Sequence, residues 1–415
     1  MMSLKNISFI EKRKQRYLML IPICLFLSNI KLVSVFDHGF RPMELLLPIC
    51  SFVFLLSQKR IKGFVGFLFF SIFPLLSLFN VVSGSNFFFS YALYFLEIFF
   101  LFAFATNIDG ISPYRREAMI RLTFQLMFVC VVFGAVQFVF ANVFRTKIFY
   151  NFLGNFQYHP NYENELAGIT RACSIFYEPS VFGWMCVFVY ALNEFINIGQ
   201  NKMFYRIFLM VGIAISFSSS AIVGLGGLIL FASFTSKKGR IFGIFVLLAG
   251  ILLILVSNTN IFSFLRLNTV GTEGSSGYNR LTYPIDATIQ TFKVYPLFGR
   301  GLGQIGIYDS KIKNYSDVFN AVFGIFVTFG LSGLFIYLFL FKYFAKWMMV
   351  NRTSMVFCYT IIFLLLSNGS FVTLEFPIIF VLFNIAVSLC KNKKSAFAGA
   401  CVSQRNNREF NLLTT

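Results

Sequence analysis

Apolar runs of membrane-crossing length recur twelve times along this chain. They cover residues 17–36, 43–57, 63–82, 87–106, 118–141, 180–198, 203–218, 221–235, 241–257, 320–341, 354–369 and 374–390. A bilayer core needs about 20 apolar residues per helix. Inside it, only structures that satisfy their own peptide groups are stable. The pattern predicts an all-α polytopic integral membrane protein of about 12 transmembrane helices, forming a single transmembrane domain over 1–415. Composition agrees: 57% of residues are hydrophobic and 12% charged, whereas a soluble domain carries about 25% charged residues. A soluble enzyme, a disordered chain and a secreted disulfide scaffold are excluded. The first run follows five basic residues but lacks a small-residue cleavage site, so it reads as a retained helix.

The net charge is +19. On a soluble protein this would suggest nucleic acid. Laid across a bilayer with the N-terminus inside, the charge sorts differently. The inside segments 1–16, 58–62, 107–117, 199–202 with Arg206, 236–240, 342–353 and 391–415 hold 23 of the 35 Lys and Arg; the outside segments hold 10. This is the positive-inside bias. It places both termini in the cytoplasm and leaves no nucleic-acid partner to expect. The eight cysteines show no CxxC and no metal-ligand spacing, so neither a disulfide nor a metal site is expected.

Two expected outside loops are long, 142–179 and 258–319. Long loops in a compact protein tend to carry function. Their basic residues run against topogenic need. The first loop contains Arg171-Ala-Cys-Ser-Ile-Phe-Tyr177-Glu178-Pro179-Ser180. Pro179 suits the first turn of a helix, so Glu178 should sit at its mouth. Arg171 can bind a phosphate or carboxylate bidentately, with Glu178 as base or orienting group. Equally, Glu178 can simply cap the helix and Arg171 can be a snorkelling side chain. His159, one of two histidines, is a further base candidate.

The second loop contains Tyr278-Asn279-Arg280-Leu-Thr-Tyr283-Pro284-Ile-Asp286, then Pro296-Leu-Phe-Gly299-Arg300-Gly301-Leu-Gly303. Residues 284–293 read as a short surface helix ended by Pro296. The glycines that follow either cradle an anion or make a re-entry turn into the tenth span. Within the bilayer, Glu97 marks a functional hypothesis by default, balanced by pairing with Arg or protonation.

Arginines on the outer side suit a lipid diphosphate held at the interface. Glycosyl transfer from such a leaving group needs charge stabilisation more than a metal, and a carboxylate or His to deprotonate the acceptor. The two motifs, Arg–x–x–Ser–x–Phe–x–Glu–Pro–Ser and the Arg280 loop ending in Pro-Leu-Phe-Gly-x-Gly-x-Gly, resemble those of Wzy-type O-antigen polymerases of the O-antigen polymerase/ligase group. The resemblance implies a GT-C-type glycosyltransferase of lipopolysaccharide biosynthesis in the bacterial inner membrane, joining undecaprenyl-diphosphate-linked repeat units on the periplasmic face. It implies Arg171 and Arg280 on the diphosphate and Glu178 as the Glu-Pro residue. Arg300, Tyr177, Tyr283, Asn279, His159 and Asp286 are then substrate-binding candidates. No cofactor is expected. The partners are membrane lipid and a polysaccharide chain-length regulator. The base stays open between Glu178, His159, Asp286 and another residue. The rivals are a lipid-linked oligosaccharide flippase, towards which Glu97 leans, and an O-antigen ligase. Related ligases carry a His in the large loop, and 258–319 contains none.

Overall fold

The computed structural model describes residues 15–28, 30, 33–35, 38–58, 60–77, 87–154, 165–166, 168–176, 178–196, 202–234, 276–301, 308–309, 314–315, 320–350, 354–367 and 375–391. The chain is mostly helical. Its helices are α1 (Leu20–Phe26), α2 (Pro42–Leu56), α3 (Phe64–Ser77), α4 (Phe87–Thr106), α5 (Pro113–Asn142), α6 (Ile148–Gly154) and α7 (Pro179–Phe195). They continue with α8 (Lys202–Ser216), α9 (Ser219–Phe234), α10 (Ser276–Val294), α11 (Ala321–Phe329), α12 (Leu334–Val350), α13 (Met355–Ser367) and α14 (375–391). Three short antiparallel strand pairs decorate the connections: β1 (Val33–Val35) with β2 (His38–Phe40), β3 (Glu165–Leu166) with β4 (Ile169–Thr170), and β5 (Tyr308–Asp309) with β6 (Asn314–Tyr315).

Most expected spans coincide with a helix to within a few residues. Two are longer. α5 starts at Pro113, whose fixed φ suits the first helical turn, and Arg121 there pairs with Glu117 at 2.6 Å. The tenth runs on to Val350 and is broken at Gly330–Gly333. One is shorter. The run 17–36 is helical only from Arg16 to Phe26, beginning as a 3-10 turn, and Val33 and Val35 enter a hairpin instead. Alternating β-branched residues favour a strand. The ninth expected span and both terminal segments lie largely or wholly outside the described residues.

Among the described residues, two helical stretches, Pro113–Asn142 and Ala321–Val350, are long and apolar enough to cross a membrane. The remaining surface supports the same environment: Val65 is 80% exposed, Leu56 71% and Phe341 69%. Large apolar side chains this exposed on several helices are what a lipid-facing surface needs. Between helices the core is aromatic, with Phe357 stacked on Phe383 at 4.1 Å and Trp347 set against Phe380 at 5.2 Å.

Near the start of α5, Arg116 donates to the Ser388 hydroxyl in the last turn of α14 at 3.0 Å, and near its end Gln137 donates to the Ser174 carbonyl, just before α7, at 3.0 Å. α7 and α14 therefore begin at the same end of the bundle. The end at which both begin is called the top of the bundle, and the opposite end the base.

At the break in the α11–α12 helix, peptide groups lose their helical partners and an inserted loop supplies new ones. Arg300 and Gly301 donate their N–H groups to the Val327 and Thr328 carbonyls at 2.9 and 3.0 Å. In return Leu331 and Ser332 donate to the Pro296 and Leu297 carbonyls at 2.8 and 3.0 Å. Gly299 (φ +65°) and Gly330 (φ +58°) make this contact possible. A Cβ on Gly299 would lie 2.5 Å from the Thr328 carbonyl, and one on Gly330 2.6 Å from the Pro296 oxygen. Gly330→Ala is expected to destabilise the protein by at least about 2 kcal/mol, through backbone overlap and a left-handed φ. Thermal unfolding in detergent measures it.

Candidate functional site

The segment carrying Arg171 has no regular secondary structure beyond β4, yet its peptide groups are held at nearly every residue. Two amides on the last turns of α5 do most of this. Asn142 accepts from the Thr170 N–H at 2.9 Å and donates to the Thr170 carbonyl at 2.8 Å. Gln137 accepts from the Ser174 N–H at 2.7 Å and donates to its carbonyl at 3.0 Å. Each side chain imitates a neighbouring peptide, as in a sheet. Between them, the Tyr150 hydroxyl donates to the Arg171 carbonyl at 2.7 Å, and the Ala172 N–H donates to Ile215 at the end of α8 at 3.0 Å. Ser174 adopts φ +54° and its hydroxyl donates to the Cys130 carbonyl at 2.7 Å. Gln137 is 1% exposed, so both of its bonds matter in full. None of this was legible in the sequence, where Gln137 and Asn142 are two polar residues in or beside an apolar run.

Arg171 is half-buried. Beside it Cys173 is buried, which pushes its thiol up to about 12, against the opposing influence of its hydrogen bonds and of Arg171. Burial likewise raises the Tyr150 phenol. Glu178 occupies the N-cap position of α7 in extended geometry, with Pro179 as the first helical residue. Its carboxylate caps no backbone N–H; it accepts from the Ser180 hydroxyl at 2.7 Å. It is half-buried at the top of the bundle. Tyr177 and His159 lie outside the described residues.

The second segment differs from expectation. The helix expected over 284–293 is α10, Ser276–Val294, with Pro284 in its interior. Proline there removes one helical bond, the one to the Arg280 carbonyl. Asn279 and Arg280 sit in the first turns of α10. Tyr283 is half-buried, packed against Ala287 and Val327, so α10 lies along α11. Phe292 and Phe326 extend this contact at 5.9 Å. Asp286 is on the exposed face. The anion-cradle reading of the glycine loop is corrected. The Gly299, Arg300 and Gly301 N–H groups are spent on the Tyr295, Val327 and Thr328 carbonyls, so that backbone is a structural clasp, and Arg300 is half-buried within it. Gly303 lies outside the described residues. The two arginine segments are thus built on different helices: α5, α6 and α8 position Arg171, and α11 positions the helix of Arg280.

A third polar group at the top was not foreseen as a unit. Glu44, at the start of α2, accepts from the Arg41 N–H at 3.0 Å and from its Nε at 2.6 Å. Arg41 also reaches Glu375, the first residue of α14, at 3.5 Å. Glu97 is 4% exposed, lies in the field of Glu375, Arg41 and Glu44, and its Oε1 has no hydrogen bond. The intramembrane carboxylate is therefore part of a buried Arg–Glu cluster.

The family model of WcaD colanic acid polymerase matches residues 18–389, nearly the whole of this architecture. The chain belongs to that family. Membership makes it a glycosyltransferase-like polymerase of polysaccharide repeat units and a membrane protein. This agrees with the resemblance to Wzy-type polymerases drawn from the 171–183 and 280–303 motifs. As a WcaD-family member it acts on lipid-linked repeat units. No curated protein and no solved structure gives a significant match.

Gln137→Leu leaves a buried N–H and a buried carbonyl of Ser174 unpaired. We expect a loss of about 2–4 kcal/mol and faster proteolysis of the 170–178 segment, read by thermal unfolding and limited digestion. Cys173 should resist iodoacetamide at pH 8.5 in the native protein and react on unfolding, because burial both shields the thiol and keeps it protonated. Peptide mapping of the alkylated cysteines reads this directly.

Proposed function

We propose that the protein polymerises undecaprenyl-diphosphate-linked oligosaccharide repeat units at the periplasmic face of the bacterial inner membrane, without a metal. The top of the bundle is then the periplasmic side and both termini are cytoplasmic. The long loops 142–179 and 258–319 form the substrate-facing surface. Arg171 and Arg280 grip the diphosphate of the donor lipid, compensating the charge that develops as the glycosidic bond to phosphate breaks. Glu178 takes the proton of the attacking sugar hydroxyl. His159 and Asp286 are the other candidates for that proton, and Arg300, Tyr177, Tyr283 and Asn279 line the approach of the glycan. A chain-length regulator is the expected protein partner.

The observation that carries this reading is the fixation of the Arg171 backbone. A flexible snorkelling side chain needs no such support, whereas an arginine that must meet a diphosphate in one geometry does. Glu178 follows a short segment later and heads a helix whose N-terminal dipole also favours an anion nearby.

The test has two parts. Removing the protein from its host should leave surface glycan carrying a single repeat unit and no ladder. Loss of every repeat unit would point to a flippase or a ligase instead, and polymer stranded on its carrier to a ligase. Reintroducing Arg171→Ala or Arg280→Ala at normal membrane abundance should fail to restore the ladder, with polymer reduced at least about a hundredfold, as for loss of a key charge donor. Normal polymer from both variants would refute the diphosphate grip.

A further inference from the structure

At the base, three segments distant in sequence enclose one cavity of about 370 Å³, lined by Lys62, Ala105, Thr106, Lys342, Tyr343 and Lys346 among others. Lys62 precedes α3, Thr106 ends α4, and the other two lysines lie on α12. Three lysines border this space, their apolar stems making much of its wall, and among the described residues no carboxylate lines it. Lys342 and Lys346 are four residues apart on one helix face, where like charges repel. Lys62 lies 4.0 Å from Asp109, with both side chains largely exposed. Such a pair holds little. Lys346 also sits 5.7 Å from the Tyr343 ring centroid.

The wall is firmly built. The Lys62 N–H donates to Asn107 Oδ1 at 2.8 Å, and its carbonyl accepts from Thr106 Oγ1 at 2.8 Å and from Asn107 Nδ2 at 2.9 Å. Positive-inside topology explains lysines at this end of the bundle. It does not require three of them, from two distant segments, to border one cavity. The volume is that of a small-molecule pocket, more than one phosphate needs. Beside the lysines in sequence stand Val65 and Phe341, exposed by 80% and 69%, an apolar surface suited to acyl chains.

We propose that this cavity binds the phosphate headgroup of an anionic membrane phospholipid, with its chains along α3 and α12. Its position in the cytoplasmic leaflet rests on the orientation proposed above; the binding itself does not. Lys342, Lys346 and Lys62 surround the phosphate, and Thr106 and Tyr343 present their side chains beside it. The site is at the opposite end from Arg171 and Glu178.

The test is native mass spectrometry of the detergent-purified full-length protein, titrated with phosphatidylglycerol, phosphatidylcholine or inorganic phosphate. Each lysine near an anionic headgroup is worth roughly a fivefold change in affinity. Lys342→Gln/Lys346→Gln should therefore weaken phosphatidylglycerol binding by about thirtyfold and leave phosphatidylcholine binding unchanged. Lys62→Gln, one exposed side chain, gives a smaller loss of the same sign and guards against a misfolded double variant. Arg60→Gln, in the same loop but outside the cavity, should change nothing. Equal phosphatidylglycerol affinity of the lysine variants and the parent would overturn the proposal. So would an equal loss in Arg60→Gln, or displacement of the lipid by millimolar phosphate, which would mark a small-anion site. Polymer synthesis by Arg171→Ala is scored separately, so failure at one end of the bundle does not decide the other.

Discussion

Peptide groups without partners are the central problem of irregular backbone in an apolar bundle. Each one left bare in such surroundings costs several kcal/mol. This chain meets the problem twice, by different means. Around Arg171 the partners are side-chain amides, Gln137 and Asn142, each bonded to both peptide groups of one residue. At the α11–α12 break the partner is another stretch of backbone, residues 296–301, which exchanges bonds in both directions with 327–332. The first device leaves a half-buried arginine on a rigid support. The second ties the helix of Arg280 to the broken span.

Charge is distributed with the same economy. Arg41, Glu44, Glu375 and Glu97 form a largely buried group at the top. Arg41 there offsets carboxylates that would otherwise be buried alone, and removing one member of such a group costs far more than the group contributes. At the base, Glu194 holds Arg206 at 2.5 Å and Lys202 at 3.5 Å, while Lys62, Lys342 and Lys346 border a cavity with no acid among the described residues of its wall. Glu97, the feature towards which a transporter reading leans, lies in the field of Glu375, Arg41 and Glu44.

Membership of the polymerase family and the two supported arginine segments give a coherent division of labour. Apolar helices hold the chain in the bilayer, and the α5 amides and the glycine clasp fix the two loops. The proposed chemistry uses only groups those loops present. Glu178 fits this division: at the N-cap position of α7, its carboxylate caps no backbone N–H and accepts from the Ser180 hydroxyl.

Recurrent long apolar runs and a low share of charged residues already mark an all-α membrane protein in the sequence. Helix positions followed from run length, and the start of α7 from Pro179, since both are local properties. The sequence also marked Arg171 and Arg280, basic residues in expected outside loops, and Glu178, beside the helix-starting Pro179. What the neighbouring residues do depends on long-range packing. Glycines at 299 and 301 look the same in sequence whether their N–H groups face an anion or the carbonyls of Val327 and Thr328. Gln137 resembles any polar residue in an apolar helix until Ser174 is placed beside it. The early end of the first helix and the extension of α10 through Pro284 were equally hidden. These outcomes depend on which distant segment arrives to satisfy a given peptide group, and that information is long-range by nature.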